Sequence, residues 1–374
     1  MTQPIAFIDL QAQRRRIAKE IDAAIARVLD HGAFISGPDV ASFEAKLAAF
    51  CGARFAISCG NGTDAIQLAL MAKGIGPGNA VIVPDFTFTA TAEAVALVGA
   101  TPVFVDVQAA DFNIDPVQLE GGLKAAKDKG LTPRAVLAVD LFGLAADYDP
   151  LNAFCVRHGL LLIADAAQSF GGTLRGRKVG TLAPVTTTSF FPAKPLGCYG
   201  DGGAILTDDA ELAATLRSLR VHGQGTDKYD NVRIGVNSRL DTLQAAILSC
   251  KLDIFADEID KRQVVAARYA DALSNRVITP TVPADAVSVW AQYTLRIPGG
   301  RRDEVAAKLK AAGVPTAVYY RTPLHQQSAY RHFPGAGAFA VSQRLSQETL
   351  SLPMHPYLDE ATQSRIIAAL TSAL

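Results

Sequence analysis

Lys194 is the one charged residue between Lys178 and Asp201, and it lies among aromatic residues, prolines and glycines. Burial in such surroundings disfavours the ammonium form of a lysine and lowers its pKa. A neutral lysine amine is a nucleophile that forms Schiff bases with carbonyl groups. Because most lysines in apolar stretches simply extend the amine to solvent, the hypothesis of a catalytic Lys194 needs a second group.

Asp165 supplies that second group. It directly follows the apolar run 160–164, which is typical of a parallel strand buried on both faces, and ligands of open α/β sheets bind outside the carboxyl ends of such strands. A carboxylate there can hold a pyridine nitrogen protonated, and enzymes that use pyridoxal phosphate (PLP) need one together with a Schiff-base lysine. The pair predicts a PLP site with Gln168 as a polar companion, although an aspartate here could also be a helix N-cap.

A glycine-rich turn is the predicted site of the cofactor phosphate. The segment Gly60-Asn61-Gly62-Thr63 lies between a predicted strand at 54–58 and a predicted helix at 63–73. A turn of this kind exposes backbone N–H groups, and the helix N-terminus favours an anion. Alone the motif is weak, since many α/β proteins have such a turn for geometric reasons only.

The composition excludes several other classes of protein. The 374 residues are 49% apolar and carry 36 basic and 36 acidic side chains, so we expect a globular protein with no nucleic-acid or membrane partner. Five scattered cysteines and six histidines lack the spacing of disulfide frameworks or metal sites. Without a membrane-length apolar run or a cleavable signal, the expected location is cytoplasmic.

Alternating strand-like and helical segments predict an α/β fold with a mostly parallel central sheet. The predicted strands of this part are 54–58, 80–83, 101–105, 135–140, 160–164, 186–191 and 203–207. The predicted helices are 14–30, 38–50, 63–73, 88–98, 149–158 and 209–220, followed by a long helix from Leu240 toward Phe255 or Leu273. Strands at 291–297 and 314–319 and helices at 301–312, 340–350 and 359–372 come last. This pattern predicts a large domain at 1–250 and a smaller α+β domain at 251–374.

Over essentially its whole length, the chain resembles the DegT/DnrJ/EryC1/StrS family of PLP-dependent sugar aminotransferases. The motifs that carry the resemblance are Asn61-Gly62-Thr63-Asp64-Ala65, Pro84-Asp85-Phe86-Thr87-Phe88, Asp165-Ala166-Ala167-Gln168, the segment around Lys194, Gly200-Asp201-Gly202-Gly203 and Gly235-Val236-Asn237-Ser238-Arg239-Leu240-Asp241. The resemblance implies the fold of the fold-type I PLP-dependent transferases, which is like that of aspartate aminotransferase.

The resemblance also implies a role for each matched residue. Lys194 would form the Schiff base with PLP, and Asp165 would pair with the pyridine nitrogen. Asn237 would reach the phosphate of the neighbouring subunit's cofactor, which implies a homodimer with shared active sites. The other implied contacts are Gln168 with the ring hydroxyl, Phe88 stacked on the ring, Gly62, Thr63 and Ser189 with the phosphate, and Arg239, Tyr319 and Tyr320 with the substrate.

Within the family, segments 190–203 and 313–320 most resemble enzymes that act on UDP-2-acetamido-2-deoxy-3-oxo-glucuronate in surface polysaccharide (O-antigen) synthesis. Those enzymes are expected to have His-Tyr where this chain has Tyr319-Tyr320. The resemblance implies a ping-pong transfer of the amino group of L-glutamate to C3 of the sugar. Three alternatives stay open: amination at C4 of a GDP- or dTDP-4-keto-6-deoxy sugar, a PLP-dependent dehydratase, in which His replaces the lysine, and a non-catalytic regulatory protein.

Overall fold

The computed structural model describes residues 4–227 and 229–374. The strands are β1 (Phe55–Cys59), β2 (Asn79–Pro84), β3 (Thr101–Val105), β4 (Thr132–Val139), β5 (Leu161–Asp165), β6 (Thr173–Leu174), β7 (Arg177–Lys178), β8 (Val185–Ser189), β9 (Gly203–Thr207), β10 (Ala286–Val287), β11 (Tyr293–Arg296) and β12 (Thr349–Leu352). The α-helices are α1 (Leu10–Arg16), α2 (Ala18–His31), α3 (Pro38–Cys51), α4 (Gly62–Ala72), α5 (Ala90–Leu97), α6 (Leu119–Asp128), α7 (Tyr148–His158), α8 (Ala210–Leu219), α9 (Thr242–Leu273), α10 (Arg302–Ala311), α11 (Ala340–Glu348) and α12 (Glu360–Ala373). Short 3-10 helices lie at Pro116–Gln118, Leu141–Gly143 and Leu324–Gln326.

The central sheet has seven strands in the order β1-β9-β8-β5-β4-β2-β3. From β8 to β3 all neighbouring strands run parallel, whereas β9 runs antiparallel to both β8 and β1. Alternate side chains of β2 pack on opposite faces: Val81 and Val83 join the apolar cluster of α4, and Ile82 joins that of α6. Helices therefore cover both faces, which explains the wholly apolar strands, and the predicted mostly parallel sheet is confirmed.

The long helix α9 runs without a break from the central sheet to the C-terminal elements. Near its middle, Phe255 packs in a cluster with Phe43 of α3. Toward its end, Tyr269 and Leu273 pack in a separate cluster with side chains of β11, α10, β12 and α12. The predicted boundary at 250/251 lies inside this continuous helix, and the division into two domains stays a prediction.

The N-terminal helix predicted at 14–30 is two helices, α1 and α2. They are separated at Ile17, which has φ −122° and ψ 36°. Its buried side chain packs with Ile21 of α2 and Ile247 of α9. The buried Ile17 thus marks a break in the helix that apolar periodicity alone did not reveal.

The strand predicted at 314–319 is wrong. Among these residues, all of which are described, Ala317 alone pairs with a strand residue, Ser351 of β12. Pro315 has no N–H to donate to a ladder. The helix predicted at 340–350 ends at Glu348, because Thr349 and Leu350 already belong to β12.

Among the described residues, no helix combines the length and apolar character that crossing a membrane would require.

Candidate active site

The carboxyl ends of β4, β5 and β8 form one edge of the sheet. Asp165, the last residue of β5, pairs in register with Thr187 of β8, so Ser189 lies two residues further along the neighbouring strand. On the other side, the backbone N–H of Asp140 donates to the carbonyl of Asp165 at 3.0 Å. Parallel register therefore brings Asp165 and Ser189, which sequence analysis selected separately, to the same edge.

Lys194 lies in a tight loop that follows β8. Its backbone N–H donates to the carbonyl of Phe191 at 2.8 Å. A Cβ on Gly197 would lie 2.5 Å from the carbonyl oxygen of Pro192, so the loop closes only with glycine there. From α9, Lys251 Nζ donates to the carbonyl of Gly197 at 2.6 Å. The loop that presents Lys194 is therefore fixed to the longest helix of the protein.

Burial sets the protonation of both reactive groups. It lowers the pKa of Lys194, and the negative charge of Asp165 opposes that shift. It raises the pKa of Asp165, which is opposed by a 3.0 Å hydrogen bond from the N–H of Ala167 and by the charge of Lys194. Within the described residues, Lys194 Nζ has no hydrogen-bond acceptor and forms no ion pair with Asp165. The charges of the two groups therefore influence each other's pKa without a direct hydrogen bond.

The glycine-rich turn packs against the end of β8. Asn61 caps α4 through a 2.8 Å bond from the Asp64 N–H to its Oδ1, whereas the N–H groups of Gly62 and Thr63 have no partner within the helix. A Cβ on Gly62 would lie 2.6 Å from Cβ of Ser189, so only glycine permits this approach. The structure thus brings together Gly62, Thr63 and Ser189, the three residues predicted to bind the phosphate of the cofactor.

A second group of predicted residues forms a polar and aromatic wall. Gln168 Oε1 accepts from the N–H of Phe142 at 2.8 Å, and its Nε2 donates to the hydroxyl of Tyr320 at 3.3 Å. The ring of Tyr320 lies 6.3 Å from that of Phe88, which is 53% exposed, and 5.7 Å from that of Tyr319. Burial raises the pKa of Tyr320, which keeps its hydroxyl protonated. These residues are adjacent, but their predicted contacts with cofactor and substrate stay predictions.

Within the part of the chain that the structure describes, the side chains of Asn237 and Arg239 form no hydrogen bond or ion pair with this group. Asn237 is exposed and Arg239 is half-buried. No hydrogen bond or ion pair within residues 4–227 and 229–374 connects either side chain to Lys194 or Asp165. The predicted roles of Asn237 and Arg239 at an active site therefore stay predictions.

Several other aspartates follow strands, and two of them, Asp85 and Asp140, were not selected from the sequence as site residues. Asp85 follows β2, is fully buried, and accepts from His325 Nδ1 at 2.7 Å. Asp140 follows β4 and accepts from the hydroxyls of Tyr148 at 2.7 Å and Ser169 at 2.6 Å. Burial raises the pKa of Asp140 to about 7. The recurring pattern of an apolar run ending in aspartate was the signal that could have identified both.

Comparison with known proteins identifies the family. Residues 15–371 match the model of the DegT/DnrJ/EryC1/StrS aminotransferase family. The chain belongs to this family. Because enzymes of the family depend on PLP, PLP is its cofactor.

Three relatives show how far the similarity extends. The chain is 51% identical over 371 residues to a UDP-2-acetamido-2-deoxy-3-oxo-D-glucuronate aminotransferase of Pseudomonas aeruginosa, covering 98% of this chain and 100% of that protein. A DegT/DnrJ/EryC1/StrS aminotransferase structure from Brucella abortus is 53% identical, with a TM-score of 0.96 and coverage of 98% and 99%. NtdA of Bacillus subtilis, solved with the cofactor PMP, is 29% identical, with a TM-score of 0.90 and coverage of 100% and 86%. The predicted fold class and enzyme class are confirmed.

The edge described above has the groups that PLP requires. It offers a buried lysine amine that has no hydrogen-bond acceptor among the described residues, a buried carboxylate whose charge acts on that amine, and a helix N-terminus held against Ser189. These are the chemical partners of an aldehyde, a pyridine nitrogen and a phosphate, respectively. The residues present fit the cofactor.

Proposed function

We propose that this protein moves the amino group of L-glutamate to C3 of UDP-2-acetamido-2-deoxy-3-oxo-glucuronate. One observation carries the choice of sugar: the end-to-end similarity to the Pseudomonas aeruginosa enzyme. Lys194 and Asp165 at one sheet edge support catalysis over a purely regulatory role, because a regulator has no need of a buried lysine with a lowered pKa near a buried carboxylate.

Lys194 has two tasks in this proposal. Its Nζ would hold PLP covalently, with the aldehyde oxygen lost as water, and its amine, once released by the donor, would take the proton from the substrate Cα and return it. Both tasks need a neutral amine, and burial favours that form. The cofactor supplies the electron sink. Asp165 keeps the pyridine nitrogen protonated, which requires the carboxylate form that the Ala167 N–H stabilises.

The remaining residues hold the cofactor in place. The N–H groups of Gly62 and Thr63 and the hydroxyl of Ser189 would bind the phosphate, Phe88 would stack on the ring, and Gln168 would approach the ring hydroxyl. Gln168 is itself oriented by Phe142 and Tyr320, so the orientation of its amide is fixed before the cofactor binds.

We further propose a homodimer in which each site takes Asn237 from the partner. Support comes from the exposure of Asn237, and from the exposed apolar side chains of Val232 and Ile234 in the same segment. Contact with a second copy would bury this surface. The five free cysteines fit a reducing compartment, and we place the enzyme in the cytoplasm.

Arg239 is the proposed carboxylate ligand of the substrates. L-Glutamate and the uronic acid both carry a carboxylate, and a guanidinium can bind either one through two parallel hydrogen bonds. Arg239 has no ion-pair partner among the described residues, so it is available for this role. Tyr319 and Tyr320 would line the sugar site.

A panel of acceptors tests the substrate. Purified enzyme with L-glutamate is assayed against UDP-2-acetamido-2-deoxy-3-oxo-glucuronate and against dTDP- and GDP-4-keto-6-deoxy sugars. We expect the highest kcat/KM for the uronate. A higher value for a neutral 4-keto sugar would overturn the uronate and support the C4 alternative. Absence of transfer to any ketosugar by PLP-loaded protein would favour a regulatory role.

A further inference from the structure

Ser238 joins two parts of the chain that are far apart in sequence. Its Oγ accepts a hydrogen bond from the N–H of Gly60 at 2.9 Å and donates one to Asp64 Oδ2 at 2.6 Å. Gly60 and Asp64 flank Gly62 and Thr63, so one hydroxyl holds both ends of the phosphate turn, defined as residues 60–64. A Cβ on Gly60 would lie 3.2 Å from Ser238 Oγ, so the fit leaves little room for movement.

The segment around Ser238 is extended and has two distinct faces. Its backbone pairs with residues 219–222: the N–H of Ser238 donates to the carbonyl of Arg220 at 3.0 Å, and Asn237 forms a bridge with Val221. Side chains alternate along such a segment. Ser238 and Leu240 are buried, Asn237 is exposed and Arg239 is half-buried. The inner face therefore holds the protomer's own phosphate turn, while the outer face presents Asn237 and Arg239.

We propose that Ser238 is a positioning residue for two active sites at once. Through its hydroxyl it fixes the phosphate turn of its own subunit. The same two hydrogen bonds join the segment 237–239 to that turn, and so fix the direction of Asn237 and Arg239, which act in the partner's site. This inference rests on the shared active sites of the proposed function.

Asp64 makes the hydroxyl of Ser238 important for cofactor binding. Among the described residues, Ser238 is the one hydrogen-bond donor to the Asp64 carboxylate. Without it, an unpaired negative charge lies beside the turn that must bind a phosphate. Like charges repel, so an Asp64 carboxylate that lacks this hydrogen bond weakens phosphate binding. An Asp64→Asn change removes that repulsion, so the cost of losing the hydroxyl should be smaller in that background.

The first experiment measures PLP binding to the homodimer. Apoprotein is titrated with PLP, and the visible absorbance of lysine-bound cofactor is recorded. We expect Ser238→Ala to raise the Kd for PLP roughly 10- to 100-fold, and by less when combined with Asp64→Asn. Ser238→Thr keeps the hydroxyl and should bind within about threefold of wild type. Ser346→Ala is the matched control, since this buried serine bonds to the carbonyl of Gln343 in α11.

The second experiment assigns the effect to a subunit. A heterodimer of a Lys194→Ala subunit and an Asn237→Ala subunit has one complete site, formed by Lys194 of the second subunit and Asn237 of the first. Lysine-bound absorbance reports this site alone. Ser238→Ala is then placed in either subunit. We expect a raised Kd for PLP when it is in the subunit with Lys194, and both a raised Kd and a lower kcat/KM when it is in the subunit with Asn237.

The outcomes separate the two proposals. The Lys194→Ala/Asn237→Ala heterodimer is first measured with Ser238 unchanged. If it shows no activity and no wild-type-like PLP binding, the shared site is refuted. The action of Ser238 in the partner's site is then refuted with it. A complementing heterodimer that is insensitive to Ser238→Ala in the Asn237-bearing subunit overturns the inference alone. Wild-type PLP affinity of the Ser238→Ala homodimer, or failure of Ser238→Thr to restore it, overturns the role of the hydroxyl in the phosphate turn.

Discussion

Replacement of Asp165 by Asn tests the catalytic pair most informatively. The amide has the same shape and its oxygen can still accept the 3.0 Å hydrogen bond from the Ala167 N–H, so the fold of the β5 end should persist. Asp165 is 8% exposed, so solvent screens its charge only weakly and the loss of that charge should be felt strongly. The substitution therefore removes a negative charge next to the proposed position of the pyridine nitrogen and changes little else.

The expected effect follows from Coulomb's law. Two unit charges about 4 Å apart interact by about 4 kcal/mol at an effective dielectric constant of about 20. If this energy stabilises the protonated pyridine nitrogen when the substrate proton leaves, its loss slows the reaction about 1000-fold. The variant should still bind PLP, because Lys194 and the phosphate turn are unchanged.

Single-turnover kinetics measure this directly. Enzyme loaded with PLP is mixed with L-glutamate, and the loss of lysine-bound cofactor is followed by absorbance. Asp253→Asn is the matched control, because Asp253 pairs with Lys46 at the surface and should react at the wild-type rate. An Asp165→Asn variant that binds PLP and keeps a tenth or more of the wild-type rate would refute the assigned role.

Three further predictions concern other residues. Lys194→Ala should abolish transamination while the protein still binds PLP, and borohydride should fix the cofactor to Lys194 in the wild type; labelling of another lysine, found by peptide mass spectrometry, would contradict this. Arg239→Ala should lower kcat/KM for carboxylate-bearing substrates by about 30- to 1000-fold, corresponding to about 2–4 kcal/mol, with little change for neutral ketosugars in steady-state assays. Burial lowers the pKa of His355 from its ordinary value near 6.5 to about 4. Between these two pH values the unfolded chain binds a proton at His355 and the folded protein does not. The free energy of unfolding should therefore be highest above about pH 6.5 and fall as the pH falls toward 4. Urea unfolding of His355→Gln should therefore depend less on pH in this range than that of the wild type, and equal slopes would refute the assignment.

The two residues of the proposed reactive centre could be selected from the sequence because their signals are local. A buried parallel strand that ends in Asp165 places its carboxylate at the carboxyl edge of the sheet, and this inference needs no knowledge of distant residues. Lys194 is similarly marked by its own neighbours. The same reasoning would have selected Asp85 and Asp140, which also follow strands.

Other features depend on contacts that sequence alone does not specify. Helix α6 was missed because Gly121 and Gly122 lower helix propensity, yet a Cβ on Gly122 would lie 2.8 Å from Val105 Cγ1, so the helix needs glycine to approach β3. The bond between Ser238 and Asp64 connects residues 174 positions apart. No periodicity or motif indicates such a pair, since it arises only when α4 and the segment after α8 meet.

Transfer of isotopically labelled nitrogen tests the central claim most directly. Holoenzyme is incubated with ¹⁵N-labelled L-glutamate and UDP-2-acetamido-2-deoxy-3-oxo-glucuronate, and the nucleotide sugar is analysed by mass spectrometry and NMR. We predict one ¹⁵N atom bonded to C3 of the sugar, and no label in the product of Lys194→Ala. An unlabelled sugar nucleotide from the PLP-loaded wild-type enzyme would contradict the account.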